Sequence, residues 1–122
     1  MGTTSAILKL REHRKSKKFA EVNFLVDSSA IYSLVPGKIL DVLAIEPFRK
    51  MSFSMADGTT LKRKVCSAYF GYEGEGGPAP VVYQEQSDGP LLGETTLKFF
   101  GFISNPFLRT LHPMRMRMAK LK

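Results

Sequence analysis

FLVDSSA, at residues 24–30, ends an apolar run with a carboxylate that small residues follow at once. Packing alone rarely places a carboxylate beside a buried strand, because a charge in apolar surroundings costs free energy. Taken by itself, Asp27 still has an ordinary explanation, since an Asp at a strand end often begins a turn. The segments that follow it along the chain favour a functional interpretation.

Two later segments make this carboxylate informative. Residues 55–60 read MADGTT, in which Asp57-Gly58 precedes a β-branched pair and predicts a hairpin turn. Residues 90–97 read PLLGETTL, a short apolar strand and a glycine that open a brief helix. The chain therefore presents, in order, a strand ending in Asp, a hairpin, and an apolar pair with glycine before a helix.

The rest of the sequence reads as short strands separated by turn residues. Apolar runs at 5–10 and 19–26 flank the basic stretch 11–18, which predicts a hairpin with a long exposed loop. Short helices are expected from Pro36 and at 94–100, the second closed by Gly101. Further strands are expected at residues 30–35, 51–55, 61–72, 78–83, 90–93, 102–105 and 108–112. This pattern indicates a mainly β, closed or barrel-like domain, and the length of 122 residues fits one domain over 1–122.

The order of the three segments resembles that of the retropepsin-like aspartic proteases, and it looks closest to the small prokaryotic members of that family. The match extends from about Ala6 to His112 and rests on these residues: Leu25, Val26, Asp27, Ala30, Tyr32, Ser33, Val35, Pro36, Ala56, Asp57, Gly58, Leu91, Leu92 and Gly93. The resemblance implies a mainly β subunit, a closed β-barrel with one or two short helices. Because only one Asp-Ser-Ser segment exists, two carboxylates require two chains in a two-fold homodimer.

The resemblance also implies a role for each segment. Asp27 would be catalytic and would share one proton with its mate, since two carboxylates a few ångströms apart cannot both ionise. Ser28 would hydrogen-bond across the interface, and Ala30 would lie beside the substrate backbone. The flap, residues 51–64, would close over a peptide through its tip: Met55, Ala56, Asp57 and Gly58. The structural motif before the second helix would consist of Leu91, Leu92 and Gly93.

Ser29 departs from the family pattern, which has a glycine at this position. A side chain there adds volume beside the substrate backbone and strains a backbone that requires glycine. Its hydroxyl could also donate to Asp27 and lower the pKa of that carboxyl. Two hypotheses follow: an aspartic endopeptidase that needs no cofactor and no metal, or a peptide-binding protein of the same fold in which Ser29 has weakened turnover.

The net charge of +7 raises a third hypothesis, a nucleic-acid partner. The cations fall in three clusters: the loop 11–18, residues 62–64, and the C-terminal tail 113–122. None of them is interleaved with aromatic residues as a base-stacking surface requires. The sequence therefore favours solvated loops and termini over a nucleic-acid site.

The remaining candidates for chemistry are weaker. Cys66 is the single cysteine, so no internal disulfide can form, and it is expected in the core of a cytoplasmic protein with no membrane segment. His13 and His112 are far apart in sequence with no cysteine near either, which argues against zinc. A triad of Ser28, His112 and Asp88 lacks the strand-turn-helix elbow that a nucleophilic serine needs.

Overall fold

The computed structural model describes residues 4–86, 89–105 and 110–113, and these residues form nine strands and two short helices. In chain order the elements are β1 (Ser5–Arg11), β2 (Phe19–Val26), β3 (Ser33–Pro36), α1 (Gly37–Val42), β4 (Arg49–Ser54), β5 (Thr60–Tyr72), β6 (Glu75–Gln84), β7 (Leu91–Leu92), α2 (Glu94–Phe100), β8 (Phe102–Asn105) and β9 (Thr110–Pro113). The prediction of a mainly β fold with two brief helices is confirmed.

Seven strands form one sheet in the order β1-β2-β7-β3-β6-β5-β4, and β8 pairs separately with β9. Because β1 also pairs with β5, six of the seven strands close into a ring and β4 extends it at one edge. The pairs β2–β7 and β3–β6 are parallel. The predicted closed barrel is thus a ring rather than a true barrel, since β7 has two residues and joins β3 only through Leu34 and Leu91.

Alternating side chains along the strands build the core inside this ring. On β1 every second residue is buried, as expected for a strand with one solvated face. Near the centre the rings of Phe24 and Phe70 lie 5.9 Å apart. Cys66 is fully buried there, and burial raises the pKa of its thiol to about 11. Its predicted place in the core is confirmed.

The predicted β1–β2 hairpin is present, and its loop spans residues 12–18 rather than 11–18, because Arg11 still pairs with Phe19. Within it, Ser16 N–H donates to the His13 carbonyl over 3.0 Å, and His13 N–H donates to Ser16 Oγ over 3.1 Å. Lys18 Nζ donates to the carbonyl of Val42 at the end of α1 over 3.1 Å. Arg11 of β1 also donates from Nη1 to the Ser16 carbonyl over 3.1 Å. The loop is therefore held by its own turn, by β1 and by the end of α1.

β5 is long enough to pair with β4, β6 and β1 in succession, which confirms the expectation that it bends through several partners. Its turn into β6 is formed by Glu73 and Gly74, both with positive φ. β6 consequently begins at Glu75, earlier than predicted, because its glycines pair with β5 instead of turning. Pro78 and Pro80 lie in the part of β6 that β3 does not reach, so they occupy a free edge as expected.

The strand predicted at 30–35 is wrong in its first half. β3 begins at Ser33, and Pro36 ends it and precedes α1, which starts at Gly37 rather than at the proline. The backbone before Ser33 forms bends because its carbonyls bond to α2, as described below.

Near the C-terminus, Gly101 adopts φ 72° and closes α2 as predicted. β9 is described from Thr110, and the first two residues of the strand predicted at 108–112 lie outside the described residues.

The tail after Pro113, with its cationic cluster, lies outside the described residues. So does Asp88 of the triad considered above. In the part of the chain that the structure does describe, neither helix has the length and apolar character needed to cross a bilayer.

Candidate active site

Asp27 follows the last residue of β2, where the backbone is held from both sides. Its N–H donates to the Leu92 carbonyl over 3.0 Å, and its own carbonyl accepts from Ala30 N–H over 3.1 Å. The parallel pairing of β2 with β7 places Val26 opposite Leu92. The Leu91–Leu92 motif therefore fixes the point at which the Asp27 loop leaves the sheet.

Ser29 holds the carboxylate of Asp27. Its hydroxyl donates to Asp27 Oδ1 over 2.5 Å, and its backbone N–H donates to the same oxygen over 3.0 Å. Both bonds favour the charged form, so they lower the pKa of Asp27, the hydroxyl being the larger cause. The hydrogen bond anticipated from the sequence is present.

The loop after Asp27 is tied to the first turn of α2. The Ala30 carbonyl accepts from Glu94 N–H over 2.7 Å, and the Ile31 carbonyl accepts from Thr95 N–H over 2.9 Å. The first N–H groups of a helix have no partner within it. The loop carbonyls supply those partners, and this use of the backbone explains why β3 starts only at Ser33.

A buried polar pair reinforces the same junction. Ser33 Oγ accepts from Gly93 N–H over 2.9 Å and shares a hydrogen bond with Thr96 Oγ1 over 2.6 Å, and both hydroxyls are fully buried. A Cβ on Gly93 would lie 2.5 Å from the carbonyl carbon and oxygen of Tyr32. Glycine is required there because two backbone segments meet without room for a side chain.

The roles of Ser33 and Thr96 are not apparent from the sequence. The two residues are 63 positions apart. Nothing in the residues next to either one distinguishes its hydroxyl from that of any other Ser or Thr. Only the folded chain brings them into contact.

The predicted hairpin at 51–64 is confirmed as β4 and β5 joined by a turn at residues 55–59. Met55 N–H donates to the Thr59 carbonyl over 2.8 Å, and Gly58 adopts φ 89°. Asp57 Oδ1 accepts from Thr59 N–H over 3.0 Å and from Thr59 Oγ1 over 2.7 Å, and these bonds lower the pKa of Asp57. Asp57 therefore shapes the turn.

A cavity of about 730 Å³ separates the Asp27 loop from the hairpin. Residues 29–32 line one side, residues 53–55 with Leu61 and Arg63 line the second, and residues 82–86 close it. The rings of Tyr32 and Phe53 meet edge to face across it at 5.9 Å.

The structure thus brings three of the predicted site residues, Ser29, Ala30 and Met55, to one cavity. Asp27 does not line the cavity itself, but its carboxylate accepts two hydrogen bonds from Ser29, which does. Ser28 and the other tip residues, Ala56, Asp57 and Gly58, are exposed and lie outside the cavity wall of the single chain.

A larger cavity of about 850 Å³ lies elsewhere, on the outer face of β1 and β2 beside the β5–β6 turn. None of the predicted site residues lines it. Among the described residues, no three His, Cys, Asp or Glu side chains gather where they could hold a metal ion.

Two cationic clusters contact aromatic rings that sequence spacing did not connect with them. The guanidinium of Arg11 lies 5.4 Å from the Phe19 ring centre, and Lys64 Nζ lies 5.2 Å from that of Tyr83. These contacts are cation–π interactions within the chain. In this structure the rings of Phe19 and Tyr83 therefore contact cations of the same chain.

The sequence matches no family model and no curated protein. Solved structures do match it. An EIAV protease in complex with an inhibitor aligns with a TM-score of 0.60 at 15% identity, over 81% of this chain and 88% of that one. The fold is retropepsin-like.

Two further structures have the same retropepsin-like fold. A simian foamy virus protease aligns with a TM-score of 0.52 at 19% identity, over 77% of this chain and 93% of that one. The retroviral protease-like domain of Ddi1 from Leishmania major aligns with 0.56 at 14% identity, over 93% and 90%. At such identities the likeness shows the fold alone, and the narrower resemblance to small prokaryotic proteases stays a prediction.

Proposed function

We propose that the protein is an aspartic endopeptidase that hydrolyses peptide bonds as a homodimer, with Asp27 of each subunit forming the catalytic pair. The observation that carries the proposal is the position of Asp27. Its carboxylate is oriented by Ser29 on a loop that lines a cavity of about 730 Å³ beneath a hairpin. The retropepsin-like fold supports the assignment, because proteases are among the structures that share it.

The proposed chemistry needs two carboxylates that share one proton. The ionised Asp27 removes a proton from a water molecule as the water oxygen attacks the peptide carbonyl carbon. The protonated Asp27 of the other subunit gives its proton to the carbonyl oxygen. When the tetrahedral intermediate collapses, the C–N bond breaks and one of its two hydroxyls returns a proton to the carboxylate that had given one up. The amine leaves with the proton that the first carboxylate took from water.

The other predicted residues have supporting roles in this proposal. Ser28 hydrogen-bonds across the two-fold interface, and Ala30 leaves room for the substrate backbone. The flap, residues 51–64, closes over the peptide and excludes water through Met55, Ala56, Asp57 and Gly58. The assembly uses one domain per chain, residues 1–122, and the same patch on both subunits.

The test is cleavage of a peptide library across about pH 3 to 8, the range in which a carboxylate pair titrates. We expect cleavage that a statine peptide inhibits, and a solution mass of two subunits at moderate salt. A monomer that cleaves peptides equally well would contradict the paired-carboxylate mechanism. Cleavage that the statine peptide does not inhibit would assign the chemistry to residues other than the Asp27 pair.

Ser29 favours a second candidate, a peptide-binding protein with little or no turnover. Its hydroxyl bond to Asp27 stabilises the charged carboxylate, and a catalytic pair needs one member protonated. In the same library, this candidate predicts peptides that bind and stay intact. If the Ser29→Gly protein cleaves peptides that the unmodified protein only binds, the protein has the catalytic machinery of the first candidate and Ser29 suppresses its turnover.

A further inference from the structure

Arg63 is the cationic side chain in the wall of the cavity, within the residues that the structure describes. It lies on β5 opposite Met51, and Leu61 lies opposite Phe53. Because side chains alternate along a strand, Arg63 shares a face with Leu61, and that face is turned toward the cavity. The neighbouring Lys62 is exposed on the other face of the same strand.

The guanidinium of Arg63 has no carboxylate partner among the described residues. The ion pairs found there join Glu12 to His13 and Glu94 to Lys98. Arg63 Nη1 donates to the carbonyl of Lys62 over 2.9 Å, which uses one of five N–H donors. Several donors of a half-buried cation thus remain for a ligand.

The surroundings of Arg63 select the kind of ligand. Most of the wall is apolar or aromatic, as Ile31, Leu34 and Phe53 illustrate. Glu85, the acidic side chain of the wall, is exposed just after β6 and lies beyond ion-pair distance of Arg63. An arginine in such a setting favours a planar carboxylate, which it can bind with two parallel hydrogen bonds.

We infer that Arg63 is a specificity-determining residue, which selects extended peptides that carry one Asp or Glu side chain in an otherwise apolar segment. The inference rests on the proposed function, since it assumes that a peptide occupies the cavity. In a two-fold dimer each subunit brings one Arg63. The acidic side chain is therefore favoured at two positions, one on either side of the scissile bond.

A binding measurement tests the preference separately from catalysis. The probes are fluorescein-labelled apolar peptides of about eight residues, long enough to span an extended cleft at about 3.3 Å per residue. A single Glu is moved along the peptide, and each probe has a twin with Gln at the same position. Fluorescence anisotropy with the Asp27→Asn protein, at about 0.15 M salt to screen distant charges, gives the ratio of the two Kd values.

We expect the Glu probe to bind about tenfold more tightly than its Gln twin at the favoured positions. Arg63→Gln should abolish the preference and leave binding of the Gln probes nearly unchanged. Lys62→Gln removes the same charge from the outer face of the strand, and it should retain the preference.

Four results would overturn the inference: no probe binds, no position prefers Glu, the preference survives Arg63→Gln, or Lys62→Gln removes it equally. The last of these would assign the effect to the general positive field of the hairpin. Failure of the proposed function is a separate result. It is seen when the unmodified protein binds the preferred Glu probe and leaves it intact.

Discussion

The Asp27 loop and the hairpin tip face the same cavity, but they are held in different ways. The loop is joined to α2 and β7 by backbone bonds from Asp27, Ala30 and Ile31, and by the buried pair of Ser33 and Thr96. The tip, residues 55–59, is exposed throughout and is held by bonds within its own turn.

This difference matters for function, because segments with few buried contacts open at a lower free-energy cost than segments fixed in the core. A catalytic carboxylate gains from rigid support, whereas a cover over a peptide has to open and close. The two regions therefore suit the two roles assigned to them.

The largest expected effect is the difference in peptide cleavage between variants of Asp27, in the loop, and of Asp57, in the hairpin tip. Asp27 and Asp57 each accept a backbone N–H and a hydroxyl from the residue two positions later. Asp27→Asn should lower peptide cleavage by about a thousandfold or more, since it removes a reacting group, while circular dichroism shows an intact fold. Asp57→Asn alters only a turn and should lower cleavage a few-fold at most. Equal losses in the two variants would remove Asp27 from the mechanism.

Two glycine substitutions compare the stability of the regions. Gly93→Ala places a methyl group 2.5 Å from the Tyr32 backbone, and it should cost about 3 kcal/mol of unfolding free energy. Gly58→Ala meets no atom within 4 Å but strains a backbone with φ 89°, which costs about 1 kcal/mol. Urea unfolding of both proteins provides the measurement. A tip variant as unstable as the loop variant would show that the hairpin is part of the rigid core.

Substitution of Ser29 tests whether this side chain lowers the rate of peptide cleavage. Ser29→Gly should raise the cleavage rate about tenfold, equivalent to about 1.4 kcal/mol of barrier. The hydroxyl lowers the pKa of Asp27, so its loss raises that pKa. The acid limb of the pH–rate profile should then move to higher pH.

Ser29→Ala is the matched control, because it removes the hydroxyl and keeps the Cβ. It should move the acid limb in the same direction and give a smaller gain in rate, since the crowding beside the substrate remains. If the glycine variant is no faster than the unmodified protein, Ser29 is a working part of the site and the expectation is wrong.

The smallest expected effects are losses of stability on removing one of two threonine hydroxyls, one in each region. Thr96→Val keeps the shape of a buried side chain but leaves the Ser33 hydroxyl without this partner, at a cost of about 1 kcal/mol. Thr59→Val removes an exposed bond to Asp57 that water replaces, so we expect a cost of about 0.3 kcal/mol. Thermal unfolding of the two variants side by side distinguishes them. A reversed order would contradict the claim that the loop junction is the more tightly held region.

The sequence by itself determined the order of the elements and the local features from which the candidate site is built. The FLVDSSA strand end, the Asp57-Gly58 turn and the apolar pair before Gly93 are each written in adjacent residues. Local propensity and side-chain alternation decide such features, and short windows of sequence record both.

Tertiary structure alone decided how these segments meet. It set the parallel pairing of β2 with β7, the start of β3 at Ser33, the contact of Ser33 with Thr96, and the place of Arg63 in the cavity wall. Residues dozens of positions apart make these contacts, and no short window shows which hydroxyl or carbonyl will find a partner. They follow from closing the sheet into a ring, because the buried polar groups of every segment then have to be satisfied by whichever segment lies beside them.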